Sequence, residues 1–313
     1  GPIISSNDGK KAQNRTYQDL LKNPNDVENF KQLSRSELLI VDLDGNQKKW
    51  LPSRMYKSIQ LSTDKKYVLI DFIKTPFSYI VPYNRFPTET HVYDTDANLI
   101  KVINDAPLLE ELPKGFMSTT KGKRNFRWRS DKPSTLYYSI ALDNGDPSIK
   151  VDYRDALYQW KAPFDDPSIF LTKVNNRINS VYWGNDKKAI IIDWWWNNRN
   201  TKTYVFNPSN SKIKAKIIND RNYQDTYSDP GSFVMKKNKY NSYVLLIKKN
   251  FVYAIGDGFS ENGQYPFLDK VNLESGNSTR IYKSPYKNKY ENIIDYDIKQ
   301  NELLVRIESP NQY

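Results

Sequence analysis

The side chains best equipped for chemistry in this 313-residue sequence are arginines. Arg124, Arg127 and Arg129 stand close together in KRNFRWR, and Arg85 lies near Tyr83 inside the segment PFSYIVPYNRFP, residues 76–87. A guanidinium presents a rigid fork of donors that matches a carboxylate, so these four, with Arg154, are the candidates for gripping an acidic group. The same side chains could instead be tied to Asp131, Asp146 and Asp155 across neighbouring turns. The 76–87 segment has too many prolines for a ladder strand and too many apolar residues for an idle loop, and is expected to pack while presenting Arg85 and two tyrosines.

Other chemistry finds little support. There is one histidine, His91, and no cysteine. A nucleophilic serine needs a base within hydrogen-bond reach, usually histidine, so any Ser-His-Asp triad inside this chain has to use His91, which stands in an apparent strand. The nearest approach to a nucleophile elbow is Gly258-Phe259-Ser260-Glu261-Asn262; it has Asn in place of the second Gly, lacks a following helix, and reads as a turn. Gly256-Asp257-Gly258 lacks the third glycine and the helix of a phosphate loop. Asp143-Asn144-Gly145-Asp146 lacks the spaced acids of a calcium loop and reads as a β-turn. No cofactor and no metal are expected. Trp194, Trp195 and Trp196 could stack a sugar or base, but such a run more often fills space between sheets, with at least one indole exposed because alternate strand residues face opposite sides.

What must position these residues is a repeated hairpin. One kind turns at Thr63-Asp64-Lys65, Ser130-Asp131-Lys132 and Asn185-Asp186-Lys187, again less clearly near Asn238, and again around Gln300. The markers Asp64, Asp131, Asp186, Asn238 and Gln300 are spaced 67, 55, 52 and 62 residues apart. Between them lies a second kind, over residues 91–103, 203–218 and 268–282, with a looser version over 156–174. An inner plus an outer hairpin makes a four-stranded propeller blade. Residues 38–50 read as an outer hairpin with no inner one before it, and 293–307 as an inner hairpin with no outer one after it. The expected fold is therefore all-β, a β-propeller with about four to five blades here, in part of a larger seven- or eight-bladed propeller. Residues 1–34 are expected to be an N-terminal extension, its first 15 residues extended or disordered, with one or two short helices interrupted at Asn23-Pro24-Asn25 and capped by Asn25 or Asp26. Residues 35–313 are expected to carry the blades.

Composition agrees with this class. Aromatic residues make up 14% of the chain, including 23 Tyr and 7 Trp, which favours pleated surfaces. The net charge of +11 is dispersed along the chain and accompanied by no nucleic-acid motif, so nucleic acid is not an expected partner. No apolar run approaches the roughly 20 residues of a membrane-spanning helix.

Seven motifs occur in an order that resembles a known family: RTYQDLL (15–21), PFSYIVPYNRFP (76–87), FRWRSDKPSTLYY (126–138), ALDNGDP (141–147), RDALY (154–158), YSDPG (227–231) and GFSENGQYPFLD (258–269). The chain resembles the propeller region of the glutamyl endopeptidase branch of the prolyl oligopeptidase family of serine peptidases, from Arg15 to about Pro310. The resemblance implies a separate C-terminal α/β-hydrolase domain carrying a Ser-Asp-His triad, none of which has a counterpart here, and so a middle fragment that is inactive alone. It implies peptide substrates and that missing hydrolase domain as partners. The propeller would then control entry, and Arg85, Arg124, Arg127 or Arg129, with Tyr83, would help hold substrates cleaved after Glu. A stand-alone peptide-binding or carbohydrate-binding propeller is the alternative. The Lys-, Asn- and Ile-rich composition and the export of bacterial relatives lead to an expected periplasmic or cell-envelope location, whereas a plant relative would be plastid-located.

Overall fold

The computed structural model describes residues 17–309. The expectation made for residues 1–15 and the first two residues of the RTYQDLL motif lie outside them. By its internal contacts the chain forms two compact units, one reaching residue 61 and adding 67–120 and 145–149, the other comprising 62–66, 121–144 and 150 onward.

The first unit opens on the helix α1 (Pro24–Leu33), whose N-cap is Asn23, accepting the Asp26 N–H at 3.0 Å. This corrects the expected cap and the expected interruption. Proline lacks the N–H that a first helical turn leaves unpaired and has its φ already set, so Pro24 starts the helix. The hairpin β1 (Ser36–Val41) and β2 (Gln47–Arg54) follows, then the sheet β3 (Tyr56–Leu61), β4 (Tyr67–Ile73), β5 (Thr88–Asp94) and β6 (Leu99–Ala106), antiparallel and paired in chain order. Their turns are written into the sequence as D-x-D-x-N. Asp42 accepts the N–H groups of Asp44 and Asn46, and Asp94 those of Asp96 and Asn98, all at 2.8–3.0 Å.

In the second unit come β7 (Lys123–Trp128), β8 (Thr135–Ala141), β9 (Asp155–Lys161) and β10 (Ile169–Val174), then β11 (Arg177–Trp183), β12 (Ala189–Trp195), β13 (Asn200–Phe206) and β14 (Lys216–Asn222). The next sheet has a broken inner hairpin. β15 (Ser232–Phe233) and β16 (Met235–Lys237) lie along β17 (Tyr243–Leu245) and β18 (Phe251–Gly256); the small hairpin β19 (Phe259–Ser260) with β20 (Gly263–Gln264) comes next, then β21 (Phe267–Asn272) and β22 (Ser278–Lys283). A final hairpin pairs β23 (Tyr290–Asp297) with β24 (Glu302–Glu308). Among the described residues this makes four complete four-stranded antiparallel sheets with a two-stranded hairpin before and after, the blade repeat of a β-propeller with one short N-terminal helix.

Face-to-face stacking of sheets explains why the middle strands are apolar on both sides. On β12, Ile191 packs with Leu157, Leu171 and Trp183, toward the second sheet, while Ile190 packs with Leu245, Val252 and Ala254 of the fourth. Consecutive side chains of a strand point to opposite faces, so a strand between two sheets needs apolar residues on both faces. The inner and outer strands are more exposed, and the inner ones carry the polar residues of interest.

Candidate functional site

Irregular pairing decides what the three clustered arginines do. Strand β7 pairs regularly with β8 except between Arg124 and Arg127, where the register shifts and Asn125 adopts a φ of 58°. A bulge re-aims side chains on either side of it. Arg124 is turned inward to Asp155, while Arg127 faces outward into a cleft of about 290 Å³ between β7 and β11. Arg129, one residue past the strand, is fully buried; it holds Asp131 at 2.6 and 3.0 Å, donates to Gln159, and stacks 3.9 Å from the centroid of the Trp183 ring.

The cleft is lined by Asn125, Arg127, Tyr137, Ser139, Asn179 and Ser180, with Leu157 and Ile178 among its apolar lining. Burial pushes the Tyr137 phenol above its ordinary value, with the Arg127 charge opposing, so at neutral pH this hydroxyl keeps its proton and can donate. Arg127 is exposed, and among the described residues its guanidinium has no hydrogen-bond or ion-pair partner. Behind the cleft lies a buried ionic cluster. Asp155 receives Arg124 and, at 3.0 Å, Arg177; Asp143 receives Arg154 at 2.8 Å and Arg177 at 2.7 Å. The cluster touches the cleft through its lining, since the Ile178 N–H donates to Asp155 at 2.9 Å and the Ser139 hydroxyl to the Arg124 carbonyl at 3.3 Å. The Nη1 atom of Arg124 is buried without a partner among the described residues. A polar cleft with one free guanidinium and further cationic groups behind it is suited to receiving a carboxylate.

Arg85 and Tyr83 lie in the first unit, on a 3-10 turn (Tyr83–Arg85) in the connection from β4 to β5. Phe77, Val81 and Phe86 turn inward around Phe30 of α1, with ring centroids 5.1 and 5.7 Å apart for the two phenylalanine pairs, whereas Tyr79, Ile80 and Tyr83 are exposed. The Arg85 guanidinium lies 5.5 Å from the centroid of the Tyr17 ring, and its Nη1 is shielded without a partner among the described residues.

The remaining suspects are accounted for structurally. His91 is buried on β5, 3.0 Å from Glu89 and 3.2 Å from the Tyr93 hydroxyl. Ser260 donates to the Gly263 carbonyl at 2.8 Å across the tight β19–β20 hairpin. Asp143 is occupied by arginines, and no group of three or more potential metal ligands occurs among the described residues. Trp194 packs edge-on to Tyr223, Trp195 is buried under Arg154, and the half-exposed Trp196 is covered by Arg199 at 3.8 Å. Arg177, which joins both aspartates of the cluster, was not among the candidate residues; one arginine opening a strand carries no signal of its own.

No family model matches the chain. It is 35% identical over 322 residues to a protein named probable glutamyl endopeptidase, chloroplastic, of Arabidopsis thaliana, covering 97% of this chain and 33% of that one. It is also 35% identical over 303 residues to the rice protein of the same name, covering 94% of this chain and 32% of that one. The chain thus spans about one third of the length of these curated relatives. Among solved structures it is similar to the β-propeller domain of the trilobed protease of Pyrococcus furiosus, with a TM-score of 0.40 and 14% identity over 90% of this chain and 70% of that one. It is also similar to the acylaminoacyl peptidase of Pyrococcus horikoshii, with a TM-score of 0.41 and 15% identity over 83% of this chain and 36% of that one. The expected bacterial periplasmic or envelope location is overturned by the two plant relatives, both named chloroplastic. Lys, Asn and Ile content sets solubility and packing, and encodes no address. Among the described residues no helix is long and apolar enough to cross a membrane.

Proposed function

We propose, from homology to proteins named glutamyl endopeptidase over 94–97% of its length, that this chain is the non-catalytic propeller part of a serine peptidase that cleaves after Glu. In this reading residues 35–313 carry the blades and residues 1–34 an extension. The catalytic serine, aspartate and histidine belong to an α/β-hydrolase domain elsewhere in the polypeptide, so the chain alone is inactive. The propeller restricts entry to peptides and contributes to holding them.

The observation that carries the glutamyl part is Arg127, which lines the cleft without a hydrogen-bond or ion-pair partner among the described residues. A glutamate side chain leaving water for an enclosed passage needs a compensating cation, because an unpaired buried charge is costly. Arg124 and Arg129 already serve aspartates of the fold, which leaves Arg127 free to pair with a visiting carboxylate, with Asn125, Asn179 and the Tyr137 hydroxyl as further partners. Arg85, whose Nη1 has no partner among the described residues, is the second candidate, and Tyr83 stands exposed beside it.

The test is made in the intact polypeptide with two peptides differing only in Glu or Gln before the scissile bond. Arg127→Gln is expected to lower kcat/KM for the Glu peptide by roughly 10- to 150-fold, the equivalent of a charged hydrogen bond of about 1.5–3 kcal/mol, and to leave the Gln peptide nearly unchanged. Arg85→Ala is measured beside it. Equal losses for both peptides would remove Arg127 from side-chain recognition, and wild-type glutamyl cleavage by both variants would assign that role to the rest of the polypeptide.

A further inference from the structure

A second cleft, of about 350 Å³, lies on the opposite flank of the second and third sheets, between their outermost strands β10 and β14. Its geometry begins with Tyr153. Lys173 of β10 places its ammonium 4.1 Å from the centroid of that ring, and Lys214, in the connection between β13 and β14, places its own at 5.9 Å. Lys212 completes the basic lining. The connection NPSNSKIKA has a defined shape: Asn207 accepts the Ser209 N–H at 2.9 Å, and Asn210 accepts the Lys212 N–H at 3.1 Å through its side chain and the Ile213 N–H at 3.2 Å through its carbonyl. Asparagine turns of this kind fix a loop locally, so the lysines and isoleucines that follow are presented rather than adrift.

None of the three lysines has a carboxylate partner among the described residues, although other lysines of the same two sheets do: Lys132 meets Asp186 at 3.0 Å and Lys202 meets Asp220 at 3.5 Å. Two ammonium groups sharing one ring attract its face but repel each other, and an anion set between them would relieve that repulsion. The rest of the lining sets Phe170, Ala215, Ile213 and Ile217 beside the polar Thr172, Asn175 and Ser211, with Ile213 and Ile217 52% and 41% exposed.

We propose that this cleft docks an acidic segment of a partner polypeptide, a carboxylate bridging Lys173 and Lys214 above Tyr153 and an aliphatic side chain covering Ile213 and Ile217. Charge selects this occupant. A second copy of a chain with a net charge of +11 brings repulsion, and a nucleic-acid backbone would leave the aliphatic floor uncovered. The proposal is independent of the cleft between β7 and β11.

The experiment is an anisotropy titration of a fluorescein-labelled peptide of alternating Glu and Leu, with the peptide of alternating Gln and Leu as control. The Glu peptide is expected to bind, to weaken as salt is raised, and to lose about five- to thirtyfold in affinity with Lys173→Gln/Lys214→Gln. In the unaltered protein the same peptide is expected to protect Lys173, Lys212 and Lys214 from acetylation, a readout that does not depend on the double variant folding. Equal binding of the Gln peptide, unchanged binding by a folded double variant, or absence of protection would overturn the proposal. So would an oligothymidylate that protects these lysines where the peptide does not.

Discussion

Arg129 has no solvent exposure, yet it carries a charge held by Asp131 and Gln159 and stacked on Trp183. Removing one member of such a buried pair leaves the other charge unpaired, which costs about 3–5 kcal/mol, whereas replacing both members with apolar residues of similar volume is often near neutral. Arg129→Met is therefore expected to destabilise the chain by that amount in urea denaturation, and Arg129→Met/Asp131→Leu to recover most of the loss. A single variant as stable as the parent would return Arg129 to the pool of arginines available to a ligand. The sequence names the arginines but does not separate their roles. Strict alternation puts Arg127 and Arg129 on the same face, both past the bulge at Asn125; β7 ends at Trp128, so Arg129 leaves the strand and is buried against Asp131 and Gln159 while Arg127 stays exposed. Nothing in KRNFRWR announces a bulge, because asparagine tolerates a positive φ without requiring it.

At the level of elements, hairpins are legible wherever a turn has its own chemistry. All five marker residues, from Asp64 to Gln300, fall between paired strands, and the weakest, near Asn238, is where β15 to β18 break the regular pairing. Two motif glycines of that sheet have conformational reasons to be glycine. Gly231, in YSDPG, has a φ of 81°, and a Cβ there would sit 2.2 Å from the Ile255 carbonyl oxygen; Gly258, in GFSENGQYPFLD, has a φ of 66° and the same conflict with Tyr265 at 1.8 Å. Gly231→Ala is expected to cost roughly 1–3 kcal/mol. It should also speed hydrogen exchange across the adjacent Ser232–Ile255 pairing, and an unchanged exchange rate there would show that the loop yields without disturbing the strand.

For the whole molecule, the class of fold is legible because two-sided apolar strands such as Ala189–Trp195 have no place in a sheet with a solvated face. The ionic cluster is not legible, since Asp143, Asp155 and Arg177 meet only once two sheets are stacked. That cluster makes two neighbouring seams unequal. Between the second and third sheets apolar packing is joined by buried Arg177 bonded to both aspartates, whereas the buried cluster between the third and fourth sheets is aliphatic, built around Ile190, Leu245, Val252 and Ala254. No backbone ladder crosses either seam, as each sheet pairs only within itself. Apolar cohesion weakens on cooling while hydrogen bonds and ion pairs do not weaken in the same way. In mild urea near freezing, the methyl resonances of Ile190 are therefore expected to broaden before those of Ile191, its chain neighbour on the opposite face; simultaneous broadening would mean that the seams are equivalent. Two adjacent residues then become separate thermometers, and the cold side of the stability curve is where this protein is expected to come apart in order.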